Sequence, residues 1–183
     1  MKQKNLNILI ATGLILMAAG ARIVNQELGL YNFAPLAALG VFSGAVIKDK
    51  KYAFLVPVLG QLIADAYFQL FTKIPGFYPG EIFNYAALVA ATALGTRMGQ
   101  PKALKVLGYT LGGSVIFFLL SNFSMWTTGY YGYTFSGFAE TYVAAIPFFK
   151  NTLAGDMAGS VIMFGLYALL QRTLVAKTQK ATA

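Results

Sequence analysis

The side chains of this sequence that could act in catalysis are mainly acidic, because its 183 residues include no cysteine and no histidine. Their absence excludes disulfides, metal and haem sites built on those two ligands, and Ser-His or Cys-His nucleophiles. An enzyme would have to use Asp65 and Asp156 as a pair, and no Gly-x-Gly-Asp or similar catalytic frame surrounds either residue. We therefore predict a protein that is not an enzyme and that uses no metal and no cofactor.

Asp65 and Asp156 both lie inside apolar stretches of the sequence. A charge in the hydrocarbon core of a membrane costs at least about 2.5 to 3.5 kcal/mol, so an intramembrane carboxylate is a hypothesis for a functional site. Counted from the ends of their stretches, at 1.5 Å per residue, both aspartates are predicted roughly 7 to 9 Å below the outer surface. We expect Arg22 and both aspartates to face the bundle interior at one depth, with at least one ion pair among them.

Amide and aromatic side chains crowd the same layer, whereas the inner halves of the apolar stretches carry almost no comparable polar groups. This asymmetry predicts a polar pocket that opens to the outside and is sealed below by apolar packing. Its mixed charge suits a zwitterionic or polar ligand, and its aromatic residues suit a flat ring. The alternative is that Arg22 forms only a structural pair with one aspartate. The predicted substrate-binding residues are Arg22, Asn32, Asp65, Glu81, Asn84, Asn122, Trp126, Tyr130, Tyr131, Asn151 and Asp156.

The composition places these residues in a membrane. The chain is 57% hydrophobic and 11% charged, whereas soluble domains have about 25% charged residues. A transmembrane helix needs about 20 mostly apolar residues. Six stretches approach that length, at about residues 5–24, 33–47, 52–71, 82–96, 106–126 and 152–170. We predict an all-α integral membrane protein, a bundle of six transmembrane helices that forms a single membrane domain over residues 1–183, with five spans as the alternative.

The basic residues predict the orientation of this bundle. Lysine and arginine number 14 and give a net charge of +8. With the N-terminus in the cytoplasm, all but Arg22, Lys73 and Lys150 fall on the inner side. By the positive-inside rule, this split predicts both termini in the cytoplasm of a multi-pass protein of the bacterial inner membrane. The positive charge is thus assigned to topology and contact with membrane lipids, and no nucleic-acid partner is predicted.

The predicted connections on the inner side are tight turns, whereas those on the outer side are longer. The longest, 127–151, follows Trp126 and is rich in tyrosine, and its sequence is helix-like from Phe138 to Ile146 and stops at Pro147. Long connections in compact domains are often functional lids. We therefore predict 127–151 as an outer lid loop over the pocket, and 173–183 as a polar C-terminal tail.

Three short patterns carry a resemblance to a known family. They are Asn32-Phe33-Ala34-Pro35 running into 38–45, Pro79-Gly80-Glu81 with Asn84-Tyr85, and Pro147-Phe148-Phe149 followed by Asn151 and Asp156. With them, the chain from about residue 7 to residue 172 resembles the S components, the substrate-binding membrane subunits, of energy-coupling-factor (ECF) vitamin transporters. It is most similar to a poorly characterised branch of transport proteins. The resemblance implies uptake of a small water-soluble nutrient, a vitamin or cofactor precursor, after reorientation of the loaded protein.

The partner that the resemblance implies is an ECF coupling module. S components typically present an Ala-x-x-x-Ala face on helix 1, and Ala11, Gly13 and residues 18–21 form no such pair. Another membrane complex is therefore an alternative partner. The sequence has no Walker motif, so any ATP use would come from another subunit. The alternative function is a structural or assembly subunit of a larger membrane protein complex.

Overall fold

The computed structural model describes residues 3–30 and 32–181, and the side chains of residues 11–30 and 32–172. These residues form six α-helices, which confirms the predicted all-α fold. The helices are α1 (Gln3–Glu27), α2 (Leu36–Val46), α3 (Lys50–Phe71), α4 (Glu81–Gly95), α5 (Ala103–Thr127) and α6 (Phe135–Ala181).

The helices have the apolar character of a membrane protein. Within the described part of the chain, three segments are long and apolar enough to cross a membrane: Lys50–Phe71, Ala103–Thr127 and Phe135–Arg172. Helices α2 and α4 are apolar and shorter. Large apolar side chains also cover the outside of the bundle, among them Leu104 and Phe135, which are more than four-fifths exposed. Such a surface is compatible with lipid as its solvent.

Successive helices run in alternate directions. Helices α5 and α6 are antiparallel, because Thr110 Oγ1 lies 2.6 Å from Ser160 Oγ, and Ser114 Oγ donates to Asp156 Oδ2 at 2.7 Å. At one end of the bundle, which we call the polar end, α1, α3 and α5 finish and α2, α4 and α6 begin. The other end, which we call the basic end, carries the connections 47–49 and 96–102.

Helix α2 is the centre of the bundle. Its residues from Leu36 to Gly44 are all buried, and it packs against α3, α4, α5 and α6. Glycine permits the closest of these contacts, since a Cβ added at Gly44 would overlap the backbone oxygen of Thr92. The backbone of α2 therefore lies directly against α4, as small residues allow in membrane helices.

The predicted outer lid loop 127–151 is mostly helical, as expected for 138–146, but its helix starts earlier and does not stop at Pro147. Helix α6 begins at Phe135, and only residues 128–134 separate it from α5. The hydroxyl of Thr134 accepts a hydrogen bond from the Gly137 amide at 3.0 Å, so it caps the start of α6. Pro147 lies inside the helix instead of ending it. Proline is tolerated inside membrane helices, where neighbouring groups satisfy the freed backbone.

Helix α6 is also longer at its other end than the sequence predicted. It has 47 residues and continues to Ala181. Residues 173–181, predicted as a polar tail, are therefore helical. At 1.5 Å per residue the helix is about 70 Å long, more than twice the roughly 30 Å of a hydrocarbon core.

Candidate ligand-binding site

A cavity of about 350 Å³ opens near the polar end of the bundle. This volume is near the lower limit of small-molecule sites, and it is equivalent to about a dozen water molecules. Five of the residues predicted for substrate binding line it: Arg22, Asn32, Asn84, Asn122 and Asp156. The structure therefore brings together polar side chains from α1, α4, α5, α6 and the α1–α2 connection.

Asp65 lies behind the lining residue Arg22 and is fully buried. Its carboxylate forms an ion pair with the Arg22 guanidinium and accepts a hydrogen bond from Tyr85 Oη at 2.7 Å. The Arg22 guanidinium also stands 5.3 Å from the ring centre of Phe68. Its side chain is 21% exposed, so part of Arg22 lines the cavity. The predicted ion pair between Arg22 and an aspartate is therefore present, and the aspartate is Asp65.

Gln61 connects the two acidic side chains of this region. Its Nε2 donates to Glu81 Oε1 at 2.9 Å and to Asp65 Oδ1 at 3.4 Å. Gln61 lines the cavity, whereas Glu81 lies behind it and is 6% exposed. Among the described residues, Gln61 Oε1 is buried without a hydrogen-bond partner, and the Glu81 carboxylate has the Tyr78 hydroxyl beside it. A buried polar atom left unpaired costs about 1 to 3 kcal/mol, so an unpaired acceptor here lowers the stability of the fold.

Tyr78 and Asn84 form the edge of the cavity beside Glu81. Asn84 Nδ2 donates to Tyr78 Oη at 2.6 Å. Burial and the nearby Glu81 carboxylate raise the pKa of Tyr78 to about 12. The phenol therefore stays protonated at neutral pH and remains available as a neutral hydrogen-bonding group.

Asp156 is held at the start of α2. It is fully buried and accepts hydrogen bonds from the Ala38 amide at 2.9 Å and from Ser114 Oγ at 2.7 Å. A carboxylate at a helix N-terminus satisfies free amides and is favoured by the helix dipole. The structure thus gives this side chain a structural role as well as a place in the cavity wall.

The prediction that Asp65 and Asp156 share one depth is corrected by this contact. Ser114, the partner of Asp156, is about 20 Å along α5 from Thr127, whereas Asp65 is only about 9 Å from the end of α3 at Phe71. The sequence-based prediction measured the position of Asp156 from a helix start near residue 152, but α6 begins at Phe135. Asp156 also pairs with α2 and Ser114 instead of with Arg22.

The segment before α2 forms one side of the cavity. Asn32 lines it and has a φ of 60°. This left-handed conformation suits asparagine better than most residues, because its short side chain can hydrogen-bond locally. The adjoining residues 33–35 are not helical. They lie on Gly155 and Gly159 of α6, where an added Cβ would overlap Phe33 and Pro35.

Phenylalanines from α5 and α6 form an apolar wall of the cavity. Phe118 and Phe149 lie with their ring centres 4.8 Å apart. Sequence reasoning did not assign this wall, and it did not assign Gln61. Signals were present, because Gln61 precedes Asp65 by one helical turn and a phenylalanine pair follows Pro147. The phenylalanines of this wall are Phe117, Phe118, Phe148 and Phe149.

The other predicted residues do not line the cavity. Trp126 packs against Phe138, with ring centres 5.7 Å apart, and Tyr130 packs against Tyr131 at 4.8 Å. These rings join the end of α5 to the start of α6, so the predicted lid is a short turn beside the cavity. Asn151 is half-buried and precedes the lining residue Thr152.

A bound metal would need several hard or soft ligands in one place. Among the described residues, no three histidine, cysteine, aspartate or glutamate side chains come together in this way. The cavity instead combines a guanidinium, amides, hydroxyls and buried carboxylates with a phenylalanine wall. This combination suits a small organic ligand with polar and aromatic parts.

Comparison with known proteins finds one family. Residues 2–179 match the family described as Family of unknown function (DUF6580). No curated protein matches the chain. No solved structure matches it either.

Proposed function

The chain belongs to DUF6580, a family of unknown function, and we propose that it is a substrate-binding membrane protein for the uptake of a small water-soluble nutrient. The observation that carries this proposal is the cavity of about 350 Å³ at the polar end. Its polar groups are fixed by buried hydrogen bonds and by the Arg22–Asp65 ion pair. A cavity that combines several polar groups with an aromatic wall is typical of ligand sites.

The proposed topology has six membrane spans, with both termini in the cytoplasm of a bacterial cell and the cavity open to the outside. The basic end supports this orientation, because Lys48, Arg97 and Lys102 lie in its connections. Helix α2 has 11 residues and reaches only about 16 Å. The non-helical residues 33–35 complete this span, and broken spans of this kind are stable where protein surrounds them.

The resemblance to ECF S components suggests the step after binding. The loaded protein would reorient and release a vitamin or cofactor precursor inside the cell, with an ECF coupling module or another membrane complex as its partner. The chain has no ATP-binding motif of its own, so a partner would supply energy. The cavity, the membrane character and the proposed orientation all suit this role.

A structural or assembly subunit is the second candidate function. The turn between α5 and α6 favours it, since Tyr130 is 72% exposed, Tyr133 70% and Phe135 87%. Exposed aromatic patches of this kind often mark contacts with protein or with the membrane interface. In this role the cavity would be incidental and the aromatic turn would dock a neighbouring subunit.

Native mass spectrometry of the purified protein separates the two candidates. Ala145 lines the cavity and is 9% exposed, so Ala145→Trp should fill the cavity. Val143 is 65% exposed on the same helix, which makes Val143→Trp a matched control. We expect a co-purifying small molecule with the wild type and the control, and its loss with Ala145→Trp. Equal small-molecule occupancy in all three, or only a protein partner that depends on Tyr130 and Tyr133, would contradict the uptake proposal.

A further inference from the structure

A second cavity, which we call the apolar groove, lies beside α2 between α1 and α6. Its volume is about 210 Å³. Helix α1 packs chiefly against α3, and α6 packs against α5 and α2, so a cleft remains between α1 and α6. The groove is lined by apolar residues: Met17, Ala18 and Ala21 of α1, Gly159, Ile162 and Met163 of α6, and the start of α2.

The apolar groove adjoins the cavity at the polar end. Leu36, the first residue of α2, lines both. On α1, Ala21 of the groove lies one helical turn from Asn25 of the cavity, and on α6, Gly159 lies one turn from Asp156. Residues one turn apart share a face of a helix. The two cavities therefore follow one cleft along α1 and α6, which is polar at the polar end and apolar towards the basic end.

The polar half of this cleft offers hydrogen-bonding groups rather than free charges. Asn25, Asn32 and Thr152 line it and are at least partly exposed. Amide and hydroxyl side chains both donate and accept hydrogen bonds. The charged residues of the lining are Arg22 and Asp156, and both already have partners within the protein. An uncharged polar group with donors and acceptors therefore suits this half of the cleft.

We propose that the cleft binds a small amphiphile, with an uncharged polar head in the cavity and a short apolar chain in the groove. This inference rests on the proposed binding function and names the class of its substrate. From Met17 to Ala21 the groove extends about 6 Å at 1.5 Å per residue, close to the length of a hexyl chain. A molecule with so short a chain is still soluble in water, and moving the chain from water into the groove is favourable.

The continuity of the two cavities favours this occupant over others. A lipid chain from the bilayer, or a helix of another protein, would cover the groove without using the polar half of the cleft. The head of a bound amphiphile uses both the amides of the cavity and, through its chain, the apolar residues beside Leu36. Binding should therefore depend on both cavities at once.

Methyl and hexyl β-D-glucoside test this dependence, because they share one uncharged head and differ only in the chain. Their dissociation constants are measured by calorimetry with the protein in phosphatidylcholine nanodiscs, after subtraction of the signal from empty nanodiscs. Ala21→Phe fills the groove, and Ala145→Trp fills the cavity. Ala158→Phe is the matched control for Ala21→Phe, because Ala158 is exposed on α6 and lines neither cavity.

We expect the wild type and Ala158→Phe to bind hexyl glucoside at least about tenfold more tightly than methyl glucoside, since each buried methylene contributes about a threefold gain. Ala21→Phe should lose this gain and still bind methyl glucoside, which shows that its cavity is intact. Ala145→Trp should bind neither glucoside. If Ala21→Phe does not fold, Ile162→Trp takes its place, because Ile162 lines the groove and is 56% exposed, with Val161→Trp, at a position 64% exposed, as its control.

The outcomes separate this inference from the proposed function. Equal binding of the two glucosides by the wild type rejects the chain site and keeps the cavity as a binding site. An undiminished gain in Ala21→Phe shows that the chain enters lipid instead of the groove, and it also overturns the inference. Failure of the wild type to bind either glucoside rejects the ligand class. Unchanged binding of both glucosides by Ala145→Trp contradicts the proposed function itself.

Discussion

Arg22 and Asp65 stabilise each other, so removing one should cost more than removing both. Asp65→Ala leaves a guanidinium with no ion-pair partner, and we expect it to lower the free energy of unfolding by about 3 kcal/mol. The double variant Arg22→Met/Asp65→Leu removes both charges and keeps the volume, and its loss should be clearly smaller. Denaturant unfolding in detergent micelles measures both values.

The exposed Glu27, near the end of α1, provides the control for this comparison. Glu27→Ala should change the free energy of unfolding by less than about 0.5 kcal/mol, as exposed substitutions usually do. If Asp65→Ala were as mild as Glu27→Ala, the ion pair would contribute nothing to the fold. A double variant as unstable as Asp65→Ala would show that packing, and not charge, holds these residues.

The charged residues of the site could be predicted from the sequence, and most of their partners could not. Arg22 and Asp65 stand out because charges inside apolar stretches are expensive and therefore rare. Gln61 is neutral, and only its position between two carboxylates gives it a distinct environment. The phenylalanine pair after Pro147 was a signal for the aromatic wall, but its pattern is shared with other phenylalanines on apolar helices, so it did not single out the wall.

The start of α2 depends on a carboxylate from another helix. Asp156→Leu would leave the Ala38 amide without its acceptor, while the Ser114 hydroxyl could still donate to Thr110 O, and we expect the substitution to cost about 2 kcal/mol. Asp156→Asn keeps one oxygen acceptor and should cost about half as much. Unfolding in detergent, together with hydrogen exchange of the Ala38 amide, measures the effect. Ser114→Ala, which removes only one hydrogen-bond partner of Asp156, is the control. Equal losses of unfolding free energy in Asp156→Asn and Asp156→Leu would contradict the capping role.

Helix α6 contacts the segment before α2 through its glycines. A methyl group at Gly155 would overlap the backbone of Phe33, so Gly155→Ala should cost about 2 kcal/mol through overpacking. Gly165 has no neighbour within 4 Å, and Gly165→Ala should be neutral or stabilising because alanine is the better helix former. Thermal unfolding of the two variants compares the same chemical change in one helix. Similar melting temperatures for Gly155→Ala and Gly165→Ala would show that the segment before α2 moves away from the added methyl group without loss of stability.

Helices were easier to predict than their ends. Apolar stretches located all six, because a long run of apolar residues has few alternatives to a membrane helix. The sixth span was predicted from 152 and a separate helix-like segment at 138–146, whereas one helix runs from Phe135 through both. Pro147 indicated a helix end, whereas the Thr134 cap carried the weaker signal for a start. The rule that proline ends a helix failed here because Pro147, although exposed, lies inside one continuous helix.

Cysteine labelling tests the proposed membrane topology as a whole, and the native chain contributes no thiol. Tyr130→Cys, in the exposed turn after α5, should react with a membrane-impermeant maleimide added outside intact cells. Lys51→Cys, exposed at the start of α3, should react only after the cells are opened. The reverse pattern would place the cavity on the cytoplasmic side, and reaction of both cysteines from outside would rule out a span between them.

The Arg22–Asp65 pair joins residues 43 positions apart in the chain, and this separation has a consequence for biosynthesis. At about 5 to 20 residues per second, the ribosome makes Asp65 roughly 2 to 9 seconds after Arg22. During that interval α1 would carry an unneutralised guanidinium into the membrane, where long basic side chains extend towards the nearest headgroups. Its final position requires α3, the helix against which it packs. In the proposed topology, the first helix would therefore reach its final position only after Asp65 of α3 has been translated.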